Sequence, residues 1–142
     1  EVRKLINEMA AEKAIVISTH LLDEVDTVCT RALVIANGKI VADGTPADLE
    51  ARSELHNAVT LRISREHFER AKSSLEEIKD VKQVSEEKKD GTSINLIVYP
   101  VDGRLIVDEV SAALRASNID VQEIRSERGR LDEVFRRITS KA

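Results

Sequence analysis

Between residues 57 and 126 the apolar residues switch repeatedly between a period of two and a period near 3.6. That ordering restricts the fold more than any single residue does. Val59, Leu61 and Ile63 alternate with polar neighbours and predict a half-buried strand at about 57–64. Phe68, Ala71, Leu75 and Ile78 recur at helical spacing and predict a helix at 65–78. Val81 and Val84 suggest a strand at 81–87, Lys88-Lys89-Asp90-Gly91 a hairpin turn, and Ile94 to Tyr99 a clear strand. Leu105, Ile106, Val110, Ala113 and Leu114 mark a helix at 104–117, and Ile119, Val121 and Ile124 a last strand. The order is β-α-β-β-α-β, the split βαβ or ferredoxin-like arrangement, with two helices on one face of a four-stranded antiparallel sheet. Leu131, Val134, Phe135 and Ile138 then line a terminal helix.

The first half has a different grammar. Val2, Leu5, Ile6 and Met9 predict an amphipathic helix over 2–11. Ala14-Ile15-Val16-Ile17-Ser18 reads as a short strand buried on both faces, running through Thr19 and His20 into a helix at 21–29. Leu22, Val25, Val28 and Cys29 form that helix's inner stripe, and Asp23 and Glu24 suit the positive end of its dipole. Ala32–Ala36 reads as a second buried strand. A strand-helix-strand order implies parallel pairing through a right-handed crossover. Asn37-Gly38 predicts a tight hairpin, since both turn positions want positive φ. Thr45-Pro46-Ala47-Asp48 opens a short helix with a capping box and proline at its first position. Polar residues 52–56 form a boundary. The fold class is therefore α/β, in two parts.

Composition removes several function classes. A net charge of -4 with interspersed acids and bases argues against a nucleic-acid surface. Phe68, Tyr99 and Phe135 are too few aromatics for a base-stacking platform. Cys29, alone, makes no internal disulfide and reads as a small core residue. No apolar run approaches the roughly 20 residues of a membrane helix, so the expectation is a cytoplasmic chain that meets a membrane only through a partner. The chain opens on Glu1 in mid-helix, with Met9 its one methionine, which reads as a fragment of a longer polypeptide.

Phosphoryl transfer needs a phosphate cradle, a lysine, a metal ligand and a group that orients water. Gly38, Gly44, Gly91, Gly103 and Gly129 include no G-x-x-x-x-G-K-[ST] spacing. No apolar strand ends in paired acids. His20 is the one catalytic candidate, at a strand's carboxyl end and a helix's amino end, where α/β sheets place ligands. His56 and His67 read as linker and surface residues. Glu86-Glu87-Lys88-Lys89-Asp90 reads as a solvated hairpin. Arg125, Arg128, Arg130, Arg136 and Arg137 read as a solvated helix face, and Asp102-Gly103 as a loop.

The run AIVISTHLLDEVDTVCTRALVIANGKIVADGTPADLEARS resembles the end of an ABC-type ATPase domain, covering residues 1 to about 53. Leu131-Asp132-Glu133-Val134-Phe135-Arg136-Arg137-Ile138-Thr139 resembles the L-E-E-V-F-L-R-L-T ending of bacterial ABC exporters' ATPase subunits. The resemblance implies that residues 1–53 are a truncated remnant of the ATP-binding domain. It implies that 56–142 are a ferredoxin-like accessory or regulatory domain carrying the terminal helix. His20 would be the switch histidine, contacting the γ-phosphate and linking it to the attacking water and the neighbouring subunit. The full-length parent would bind ATP and Mg, form a homodimer, and lie peripheral to the inner membrane on a permease, coupling hydrolysis to export. The fragment would need no cofactor and would be inactive alone, its uncovered first half fraying over residues 1–13 or self-associating. The alternative is a stand-alone βαββαβ module for small-ligand sensing or dimerisation, with no ATPase role and His20 incidental.

Overall fold

The computed structural model describes residues 2–140, and at 88–90 the backbone alone. The chain is mixed α/β, with six α-helices and two antiparallel sheets among the described residues. It divides into two compact units. One holds the residues up to Arg52 together with those from Leu131 onward; the other is Ser53–Arg130. The sequence reading attaches the terminal helix to the second half, whereas its packing places it in the first unit.

In the first unit, α1 (Val2–Ala10) buries none of its residues. It is followed by an irregular segment and α2 (Leu22–Val28). The strand expected at Ala14–Ser18 is absent: residues 14–18 are irregular and exposed, and Val16 is 96% exposed. A strand needs a neighbour to take its N–H and C=O groups. β1 (Ala32–Ala36) pairs with β2 (Lys39–Gly44) and with no other strand among the described residues. The expected parallel crossover therefore does not form there.

The β1–β2 hairpin turns where expected, at Asn37 (φ 50°) and Gly38 (φ 74°). Arg31 and Asp43 form a bidentate ion pair at 2.8 and 2.6 Å across its open end. α3 (Pro46–Glu50) starts with the full capping box: Thr45 Oγ1 accepts from the Asp48 amide, and the Asp48 carboxylate accepts from the Thr45 amide. α3, β2 and α6 (Leu131–Ser140) pack together, burying Ala42, Pro46, Leu49 and Val134. Arg137 adds a hydrogen bond to the Arg52 carbonyl.

The second unit has the element order expected from the sequence. β3 (Val59–Ser64) leads through a short 3-10 turn to α4 (Phe68–Glu76), then β4 (Val81–Asp90) and β5 (Ser93–Pro100). α5 (Val107–Ala116) and β6 (Val121–Ser126) follow. The sheet order is β4-β5-β3-β6 and every pair is antiparallel. Val59, Leu61 and Ile63 share one face with Ile94, Leu96 and Val98, and Ala71, Leu75, Val110 and Leu114 of the two helices cover it.

Two irregularities explain the weaker sequence signals. Val81 and Val84 both reach this core although their spacing is wrong for one face of a regular strand. A bulge between Val81 and Gln83 absorbs the extra residue. A second bulge lets Ile124 oppose Leu61 while Val121 opposes Ile63. β4 also runs on to Asp90, so the turn falls at Gly91-Thr92 rather than over Lys88–Gly91.

The two units are built to different standards. Among the described residues, the seventeen buried apolar residues other than proline divide into fourteen in the second unit and three in the first. Of the twelve large apolar residues left exposed among the described residues, eleven lie in the first. The second unit closes its own core. The first presents an apolar surface far larger than scattered exposed residues require.

Candidate functional site

His20 stands two residues before α2, in the irregular stretch that replaces the expected strand, and is exposed. Its neighbours fix the backbone around it. Thr19 Oγ1 accepts from the Leu21 amide at 3.0 Å and donates to Glu24 Oε2 at 2.9 Å. This local turn is one that threonine forms readily. Leu21, at the helix cap, contributes no side-chain hydrogen bond, while Asp23 and Glu24 occupy the first turn. Glu24 thus does two things: it complements the helix dipole and it holds the threonine that precedes the histidine. The sequence reading singled out His20 but not this Thr19–Glu24 pair. Its signal was available, as a threonine and a carboxylate five residues apart across a helix start.

Behind this turn lies a cleft of about 570 Å³. Val2, Arg3 and Ile6 of α1 line one side, Ile17 and Thr19 the middle, and Glu24, Val28 and Cys29 the other. Cys29 was expected in a core. It is instead the residue after α2, half-buried, at the edge of the cleft. The apolar part of the lining comes from the faces of α1 and α2 that sequence periodicity assigns to an interior and that here stay exposed or half-buried.

The remaining candidates are spread out. His67 sits in a 3-10 turn with Arg70 at 3.3 Å and Glu66 at 3.8 Å. His56 is half-buried in the second unit, bonded to the Arg128 carbonyl. Arg125 pairs with Glu123 and Glu127, Arg136 with Asp132, and Arg137 with Glu133 as well as with the Arg52 carbonyl, so these three all have partners. The side chains of Lys88, Lys89 and Asp90 lie outside the described residues, and Glu86 and Glu87 are part of β4. Among the described residues, no three His, Cys, Asp or Glu side chains converge as a metal site.

No family model matches the chain. It is 36% identical over 50 residues to ABC transporter A family member 11 of Dictyostelium discoideum, which is 35% of this chain and 6% of that protein. It is 34% identical over 67 residues to the energy-coupling factor transporter ATP-binding protein EcfA2 of Clostridium perfringens, covering 46% of this chain and 24% of that one. EcfA3 of the same species matches to the same extent. The chain therefore spans at most about a quarter of the length of these curated relatives. Part of this chain is related to the ATP-binding proteins of ABC transporters.

Proposed function

We propose that the first unit is the closing segment of the ATP-binding domain of an ABC-type exporter. The second unit, a ferredoxin-like βαββαβ domain, would be its accessory or regulatory domain. The observation that carries this reading is the similarity to several ABC ATP-binding proteins, at 34–36% identity over 50–67 residues. Two structural facts support it. Among the described residues, the first unit exposes eleven large apolar side chains and buries three apolar residues besides Pro46, as a segment does whose core is completed by other chain. His20 is exposed on a backbone held by Thr19 and Glu24. The strand order β4-β5-β3-β6 supports the ferredoxin-like reading of the second unit.

In this reading the parent polypeptide binds ATP and Mg through a phosphate loop and acidic residues outside this sequence. It works as a homodimer on a membrane permease at the cytoplasmic face. His20 donates a hydrogen bond to the γ-phosphate and reports whether that phosphate is present. This stretch alone has no G-x-x-x-x-G-K-[ST] loop and does not turn ATP over. None of the described helices is long and apolar enough to cross a membrane; in this reading contact with the bilayer runs through the permease.

The test uses the full-length parent. Its gene carries a phosphate loop upstream of Glu1, and its product hydrolyses ATP. His20→Ala lowers turnover by about a hundredfold or more, as removal of a donor to developing charge does. Near-normal turnover in that variant removes His20 from the mechanism. A parent with no phosphate loop overturns the whole reading. The second reading, a stand-alone sensing or dimerisation module, is favoured by the second unit's closed core, and it would then be the correct one.

A further inference from the structure

The sheet of the second unit ends in two edge strands, β4 and β6, each paired on one side only among the described residues. An edge strand leaves a row of N–H and C=O groups free to pair with another chain. β4 is a poor template. Its register shifts twice, between Val81 and Gln83 and between Glu86 and Lys88, and bulges break the spacing of its outer groups. β6 shifts once, opposite the step from Arg62 to Ile63, and residues 123–126 run regularly against 59–62.

The direction of the β6 backbone follows from its ladder. Glu127 turns both backbone groups toward β3: it donates to the Ala58 carbonyl at 2.7 Å and accepts from the Asn57 amide at 2.9 Å. Direction alternates along a strand, so Arg125 also faces β3, while Ser126 and Ile124 turn their backbone groups to the free side. Side chains alternate between the two faces of the sheet as well. Ile124 is half-buried and packs on the core under the helices. Glu123 and Arg125 stand on the opposite face, 3.8 Å apart, with side chains 60% and 62% exposed.

We propose that β6 is a dimerisation edge whose partner is a second copy of this chain, joined β6 to β6, antiparallel, about a two-fold axis. Such an axis sets one residue opposite its own copy, and that residue must turn its backbone groups outward. Ser126 ends β6 and Gln122 lies at the register shift, which leaves Ile124 as the centre. Glu123 then falls opposite the second copy's Arg125, and Arg125 opposite its Glu123. Both pairs take the non-hydrogen-bonded position, where facing side chains come closest. Opposite charges therefore meet twice across the axis, and cross-strand pairs of this kind stabilise a ladder. On the other face the half-buried Ile124 meets its copy and loses water. The pairing uses the second unit alone, and it holds whether or not the first unit is part of an ATPase.

Sedimentation velocity on the whole chain, over a concentration series, tests this. The wild type dimerises. Glu123→Arg and Arg125→Glu each set like charges opposite one another twice and weaken the dimer about tenfold or more. Combining the two substitutions in one chain restores the opposite charges and the dimer. An equimolar mixture of the two single variants also dimerises, because each supplies the sign that the other lacks. Thermal melts matching the wild type are the folding control. Hydrogen exchange gives the location: the Ile124 amide gains protection as concentration rises, while amides of the central strand β3 do not change. A wild-type chain that stays monomeric throughout overturns the proposal. So does association equally strong in every variant, which would place self-association outside β6, or an Ile124 amide that gains no protection.

Discussion

Ile35 and Ile40 face each other across the β1–β2 hairpin, and both side chains stay nearly two-thirds exposed, at 64% and 63%. Leu33, two residues earlier on the same face, is 53% exposed. The opposite face buries Ala42 against the region of Leu49 and Val134. The two faces of one hairpin should therefore respond differently to substitution. Ile35→Thr changes stability by less than about 0.5 kcal/mol, as surface changes do. Leu49→Ala costs about 2–4 kcal/mol through lost burial and a residual cavity. Urea denaturation followed by a probe in the first unit measures both. A loss at Ile35 comparable with that at Leu49 would contradict the exposed placement.

The unequal cores predict unequal unfolding. Leu61 is 1% exposed, at the centre of a core built from four strands and two helices. Leu61→Ala costs about 2–5 kcal/mol, and the loss belongs to the second unit. Leu49→Ala should move only the first unit's transition. Residue-resolved denaturation by NMR checks this, and one shared transition displaced equally by either substitution would refute it.

At His20 folding can be separated from the proposed role. Its side chain is exposed, and the neighbouring backbone is held by Thr19 and Glu24 rather than by the imidazole. His20→Ala therefore leaves stability within about 0.5 kcal/mol of the wild type. Thr19→Val is expected to do more, since it removes both hydrogen bonds that shape the approach to α2. On the proposed reading, ATP turnover in the full-length parent falls in His20→Ala while its thermal melt stays that of the wild type; a melt lowered as in Thr19→Val would contradict it.

Acid should loosen the first unit through two carboxylates. Hydrogen bonds from Thr45, from its hydroxyl at 2.7 Å and its amide at 3.0 Å, hold the Asp48 carboxyl below its ordinary 3.8. The Arg31 guanidinium does the same for Asp43. A group whose folded-state value is depressed binds its proton less readily when folded. Its stabilising contribution is present above about 3.8 and disappears as the pH falls through the lower folded value. Both groups are well exposed, so the effect is screened and modest. Asp48→Asn with Asp43→Asn flattens the stability profile of this unit below pH 4. Identical profiles in wild type and double variant would disprove the assignment.

The sequence was legible wherever a segment finds its packing partners nearby in the same unit. Val59, Leu61 and Ile63 alternate because α4, α5 and β5 supply a core for one face, so periodicity alone located the strand and its neighbours. The capping box at Thr45 and the turn at Asn37-Gly38 are local chemistry, and both stand where they were read. Ala14–Ser18 misled because a doubly buried strand presupposes neighbours on both sides, and the described residues supply none. The terminal helix misled for the opposite reason. Proximity in sequence attached it to β6, while Val134 and Arg137 bind it to the unit that holds Leu49 and Arg52. The Thr19–Glu24 bond depends on a chain path that periodicity does not encode.

Gly38 and Gly103 separate backbone strain from crowding. Both have positive φ, +74° and +65°. An added Cβ at Gly38 meets nothing within 4 Å, so Gly38→Ala carries only the left-handed penalty of about 1 kcal/mol. At Gly103 the same penalty applies, and the new Cβ lies 3.3 Å from His56 Cδ2. The ring must then move by a few tenths of an ångström, and it is tied to the Arg128 carbonyl and to Asn57. Gly103→Ala should therefore cost more than Gly38→Ala, by up to about 1 kcal/mol when part of the His56 hydrogen bonding is lost. His56→Ala introduced beside it should recover that excess, because the obstacle is gone. A double-mutant cycle on the second unit's unfolding free energy reads the coupling directly. Strict additivity of the two substitutions would show that Gly103 and His56 do not press on each other.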